Sequence, residues 1–122
     1  METAYVHLRI KDSILIGTYK KDVRITFDIA KEIVRTRISF TRGTQMPALI
    51  LSEGVISIDK AARDYLVSPE ATHGLSAAAI ITQSAFSSFL GNLFLQLTAG
   101  NIPVKIFRKR TRAKKWLQQF VA

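Results

Sequence analysis

The amino-acid sequence predicts one α/β domain over residues 1–122, with a mixed β-sheet, an N-terminal antiparallel hairpin and about four helices. Three observations lead there. Two strand-like stretches, residues 5–10 and 14–19, are separated only by Lys11-Asp12-Ser13, the spacing of a hairpin. After them, segments of helical periodicity alternate with short apolar runs, the order that right-handed crossovers and a largely parallel sheet produce. A chain of 122 residues with 48% hydrophobic side chains suits one packed core rather than disorder.

Each element has a local reason. In the first strand Val6, Leu8 and Ile10 alternate with Tyr5, His7 and Arg9, so one face is apolar. Ile14-Leu15-Ile16-Gly17-Thr18-Tyr19 returns beside it. Val23-Arg24-Ile25 adds a short extended piece after Lys20-Lys21-Asp22. Thr26 caps a first helix with Asp28 in its opening turn, and Phe27, Ala30, Ile33, Val34 and Ile38 form its apolar face. Gly43 stops that helix. Pro47-Ala48-Leu49-Ile50-Leu51 is the central strand. Ser57 is the expected N-cap of a second helix in which Ile58, Ala61, Ala62, Tyr65 and Leu66 face the sheet. On its outer side Asp59 and Arg63, and Lys60 and Asp64, stand four apart and can pair. Pro69 and Gly74 bound a loop. Residues 75–81 are small and apolar, as in a strand covered on both faces. Ser84 caps a third helix over residues 84–98, residues 102–107 form a last strand, and Ala113, Trp116, Leu117 and Phe120 share one face of a final helix.

The crossing from residue 49 to 63 is the place where such folds put working residues, at the carboxyl end of a strand. The predicted helix opens Asp59-Lys60-Ala61-Ala62, with no hydroxyl, thiol or imidazole on its first turn. Gly54-Val55-Ile56-Ser57-Ile58-Asp59, together with the element order, resembles the STAS domain of anti-sigma-factor antagonists and sulfate-transporter tails, and within it the SpoIIAA-like proteins. The resemblance covers nearly the whole chain. In the antagonists the stretch runs from valine through variable residues to Ile or Met, then Asp, two serines, Gly and Leu. Asp59 stands where that aspartate stands. The two serine positions hold Lys60 and Ala61, and the Gly and Leu positions hold Ala62 and Arg63. The second serine is the one that a partner kinase phosphorylates in the antagonists. Ala61 has no oxygen to accept a phosphoryl group, so the resemblance implies the fold without the phospho-switch.

Charge is unevenly distributed. The net charge is +9, and all 9 acidic residues lie at or before Glu70. Beyond it stand Lys105 and a basic segment of Arg108, Lys109, Arg110, Arg112, Lys114 and Lys115. Such a segment attracts nucleic acid or an anionic membrane, or serves solubility as a solvated helix start. Residues 71–104 carry no charge at all. Polar residues interrupt the run, so a strand followed by a helix explains it better than a membrane span. The uncharged helix over residues 84–98 suits either a homodimer interface, where charge is depleted, or burial within the subunit.

Other chemistries find little support. The chain has no cysteine, which excludes disulfides and thiolate sites and fits a cytoplasmic location; no secretory signal is visible at the N-terminus. His7 and His73 do not form a ligand-spaced pair, so neither a metal nor a cofactor is expected. No serine stands in a Gly-x-Ser-x-Gly elbow, and capping accounts for Ser57 and Ser84. The expectation is a non-catalytic, cytoplasmic protein-binding or regulatory module that meets an unidentified protein partner through Ser57, Asp59, Lys60 and Arg63. The competing classes are a polyanion binder acting through residues 108–115 and a carrier of a small apolar ligand.

Overall fold

The computed structural model describes residues 1–82 and 102–122. The helix expected over 84–98, its cap Ser84 and the homodimer surface assigned to it lie outside the described residues. The elements are β1 (Val6–Lys11), β2 (Ile14–Tyr19), β3 (Val23–Ile25), α1 (Phe27–Thr41), β4 (Met46–Leu51), β5 (Val55–Ile58), α2 (Lys60–Leu66), α3 (Pro69–Thr72), β6 (Leu75–Ile81), β7 (Val104–Phe107) and α4 (Arg110–Gln118). Five strands form one sheet in the order β1-β2-β4-β6-β7, and β3 and β5 form a separate two-stranded sheet. The β1–β2 hairpin is antiparallel. The pairs β2–β4, β4–β6 and β6–β7 are parallel, so the main sheet is mixed.

Side-chain alternation sorts the core onto two faces. Ile14, Ile16, Leu49, Leu51, Ala77, Ala79 and Ile81 point to the face covered by α4 through Ala113 and Leu117. Leu15, Ala48, Ala78, Ile80 and Val104 point to the other face, against α1, α2 and the β3–β5 sheet. The register between β4 and β6 slips between Met46 and Ala48. That extra residue in β6 turns Leu75 toward the α1 face while Ala77 points to α4. Leu117 is wholly enclosed, a burial that stabilises by about 1.5–3 kcal/mol. Trp116 bridges Phe107 and Phe120 at ring-centroid distances of 5.8 and 5.0 Å, sealing that edge.

Thr26 caps α1 as expected, its Oγ1 accepting from the Ile29 N–H at 3.3 Å. Arg42 and Gly43 then take left-handed conformations that end the helix. Three readings of local pattern are corrected. Phe27, expected on the apolar face of α1, is 39% exposed, because it occupies the first helical position, ahead of the turn that reaches the sheet. Ile10 is 45% exposed, near the tip of the hairpin where no helix covers it. Residues 69–72, read as loop, form the short helix α3 capped by Ser68.

The buried face of α1 contains a charge. Arg37 is 7% exposed, and its guanidinium donates to the carbonyls of Ala71 at 2.7 Å and His73 at 2.8 Å. It thereby satisfies carbonyls at the C-terminal end of α3, where a helix favours a cation. Burial pushes the pKa of Arg37 down, opposed by Tyr65 and Tyr19. Burial likewise pushes the Tyr19 phenol up to about 12, with Arg37 pulling it back. Arg37→Met should destabilise the fold by about 2–4 kcal/mol in urea unfolding, because both carbonyls lose their donors. Arg37→Lys should recover only part of this, since an ammonium cannot reproduce the planar fork.

One glycine is required by a close approach. A Cβ on Gly54 would overlap the Lys20 carbonyl oxygen and stand 2.9 Å from that of Tyr19. The same close approach lets Val23 N–H donate to the Gly54 carbonyl at 2.9 Å, which starts the β3–β5 pairing. Gly54→Ala is therefore expected to cost about 2–4 kcal/mol, in the range of strained or overpacked sites. Gly17→Ala is the control. Its Cβ would meet Leu8 and Ile50 at 3.5 and 3.7 Å, an ordinary contact, and its cost should stay below about 1 kcal/mol.

Candidate functional site

Two surfaces contain the residues singled out in the sequence: one belongs to the layer of α1, α2, β3 and β5 on one face of the main sheet, and the other runs from the end of the edge strand β7 into α4. The first is built by β3 and β5. These strands run parallel, with Ile25 opposite Ile58, and each leads directly into a helix. Asp59 N–H donates to the Ile25 carbonyl at 3.0 Å. The caps of α1 and α2, Thr26 and Asp59, therefore follow paired residues at the carboxyl ends of the small sheet. Phe27 and Tyr65 lock the two helices by an edge-to-face contact with centroids 5.5 Å apart, and Lys31 sits 5.4 Å from the Phe27 centroid. Tyr65 has its phenol raised by desolvation and by the charge of and hydrogen bond to Glu70.

The cap of α2 is not Ser57. Asp59 is the cap, with its carboxylate accepting from the Ala62 N–H at 2.7 Å. Ser57 lies inside β5, paired with Arg24, and Ile58, expected on the sheet-facing side of the second helix, is instead the last residue of that strand. Both are good capping residues. What decides between them is that β5 continues to Ile58, so the helix cannot begin earlier. The Lys60–Asp64 pair does form, at 2.9 Å on the exposed side of α2. Arg63 is half-buried rather than projecting, and Ala61, expected to face the sheet, is exposed. The sheet-facing position is Ala62, which is wholly buried. Glu53 and Asp59 both stand exposed, far from the desolvated cleft that would make paired carboxylates an acid and a base.

Ile56 belongs to this surface and was missed in the sequence. The β3–β5 register places Val23 opposite Val55 and Arg24 opposite Ser57, which leaves Ile56 as a bulge residue. It is 42% exposed. Bulges re-aim side chains and are frequent beside functional sites. Only the pairing with β3 reveals the bulge, and β3 is distant in sequence.

The second surface is the turn from β7 into α4. Arg108, Lys109, Arg110, Arg112 and Lys115 are exposed there and Lys114 is half-buried. Lys109 occupies the N-cap position and makes no side-chain cap, and the first turn holds no acid. Ile106, Phe107, Arg108, Lys109 and Arg112 line an open cavity of about 390 Å³. Lys105, on the edge strand, lies 5.5 Å from the Phe107 ring centroid. The expected basic segment is thus one continuous corner of the molecule. Among the described residues no cluster of His, Asp and Glu is arranged to hold a metal, and no helix is long and apolar enough to cross a membrane.

Comparison with known proteins agrees with this architecture. Residues 8–121 match the family described as Domain of unknown function (DUF7793). The chain belongs to that family. Among solved structures, it is similar to an uncharacterized protein of the DUF3478 family with a SpoIIAA-like fold from Shewanella loihica PV-4. The TM-score is 0.65 at 15% identity, and the match covers 96% of this chain and 98% of the other. The DUF7793 chain thus has a SpoIIAA-like fold, its antiparallel β1–β2 hairpin included. No curated protein matches it at a significant level.

The cap assignment can be checked directly. Asp59→Ala should cost about 1 kcal/mol in chemical denaturation, the usual value of a lost N-cap. Ser57→Ala should stay within about 0.5 kcal/mol. The reverse ranking would return the cap to Ser57.

Proposed function

We propose that this DUF7793 chain is a non-catalytic, cytoplasmic binding module of STAS type, which docks a protein partner on the surface formed by the end of β5 and the start of α2. The observation that carries this reading is the bulged, exposed Ile56 three residues before the Asp59 cap. An exposed branched apolar side chain costs solvation in the free protein. It is repaid when a partner covers it, and a polar rim around an apolar centre is the common anatomy of such contacts. Here the rim is Asp59, Lys60 and Asp64, with Arg63 at its inner edge. The partner would present an apolar side chain to Ile56 and polar groups to this rim.

The support extends to rigidity. The surface rests on two helices locked by Phe27 and Tyr65, and on a small sheet seated on the Tyr19–Lys20 backbone by Gly54. A preformed surface loses little entropy on binding. At the position where the resemblance places a phosphorylated serine, the exposed residue is Ala61. A methyl group there makes the contact independent of phosphorylation at that position.

A photo-cross-linking amino acid placed at Ile56, at Ala61 and at Ser39 tests this in the native host. Ser39 is exposed near the far end of α1, about 18 Å along the axis from Phe27. The same protein adduct is expected from Ile56 and Ala61 and not from Ser39. An adduct formed equally from all three, or from Ser39 alone, would remove the assignment of the surface.

A further inference from the structure

The β7–α4 corner has no part in the surface proposed above, yet it contains the strongest charge concentration of the chain. Its arrangement is unfavourable for the isolated protein. Arg110 and Arg112 stand in the first turn of α4, at the positive end of the helix, where an acid is preferred. Cations placed there are unfavourable, the more so at low salt. No acidic residue follows Glu70 in the sequence. Among the described residues Lys109, Arg110, Arg112, Lys114 and Lys115 make no ion pair. An anion bound from outside would relieve this repulsion.

We infer that this corner binds the phosphate backbone of a single-stranded nucleic acid. One phosphate lies in the cavity between Arg108, Lys109 and Arg112, and its neighbours follow Arg110, Lys114 and Lys115. The cavity is lined by Arg108, Lys109 and Arg112 together with Ile106 and Phe107. Cations in a groove that also offers apolar surface suit a single-stranded backbone, whose phosphates lie beside unpaired base faces. Six cations within residues 108–115 exceed what a single phosphate engages, so the complement is a polymer rather than a phosphorylated small molecule. A duplex holds its phosphates on a stiff cylinder, whereas a single strand can bend into a concave pocket. A membrane is the weaker complement. Among the described residues the exposed large apolar side chains are Met1, Ile10, Phe27 and Ile56, and none stands within residues 102–122 to insert between lipids.

The test is fluorescence anisotropy with a labelled oligodeoxythymidine of about 16 nucleotides. The wild-type chain should bind at about 50 mM salt and weaken steeply by about 200 mM. Lys109→Glu with Arg112→Glu should lower affinity about tenfold or more, and should reduce the salt slope by about 1.4, that is about 0.7 for each phosphate the variant no longer neutralises. Arg9→Glu with Lys11→Glu makes the same change in net charge on the exposed opposite edge of the sheet, and should alter affinity by no more than about twofold, as distant screened charges do. If the first pair unfolds the protein in circular dichroism, Lys109→Gln with Arg112→Gln replaces it and should still lower affinity more than the Arg9 and Lys11 reversal. Equal weakening by both pairs would show that binding follows net charge alone and would overturn the site. So would binding to phosphatidylserine vesicles without binding to the oligonucleotide.

Discussion

Strands β4 and β6 lie in the middle of the sheet, and neither of their faces can meet water. Leu49, Leu51, Ala77, Ala79 and Ile81 fill one side, and Ala48, Ala78 and Ile80 the other. Parallel pairing there imposes the rest of the architecture. Each strand needs a crossover to its neighbour, and both faces need a helical cover. The α1–α2 layer and the β3–β5 sheet supply one cover, and α4 contributes to the other. The two surfaces that carry functional proposals are separated because the central strands require cover on both sides.

The two covers are electrostatically different. Every acid lies at or before Glu70, and the chain reaches α4 only after β6 and β7. Crossover order therefore turns a gradient along the sequence into a difference between two faces. On the α1–α2 side, Asp28 and Asp59 stand at helix starts, where the backbone dipoles favour them, and Lys60 is matched by Asp64. On that side the surface proposed for a partner contains an internal ion pair, Lys60–Asp64, beside the apolar side chain of Ile56. On the α4 side the cations oppose the helix dipole. A surface of the first kind favours a contact that tolerates salt, and one of the second kind a contact that salt dissolves.

Arg37 shows how little a local pattern says about a buried polar group. It recurs at helical spacing with Ala30, Val34 and Thr41, and its place in the stripe is legible as position but not as burial. A guanidinium can be enclosed there only because α3 ends against it with two carbonyls. Removing a charge from water is costly unless every donor finds a partner. The short helix α3 and the buried arginine thus depend on each other, although 34 residues separate Arg37 from Ala71.

The sequence by itself determined the elements whose signal is local. The hairpin strands, the apolar run of β6, the Thr26 cap, the Lys60–Asp64 pair and the apolar face of α4 all follow from spacings of two, three or four residues. Those spacings act before the chain has a tertiary structure. Tertiary structure decided whatever depends on a distant partner. Residues 55–58 read as a loop, a helix cap and a helix start because the strand they form pairs with the distant β3, and the bulge at Ile56 exists only in that pairing. Asp59 displaced Ser57 as the cap because β5 continues to Ile58 before α2 starts. Arg63 turned inward and Ala61 outward once Ala62 took the position against the core. Charge and periodicity are properties of neighbouring residues, whereas register and burial are properties of pairs that only folding brings together.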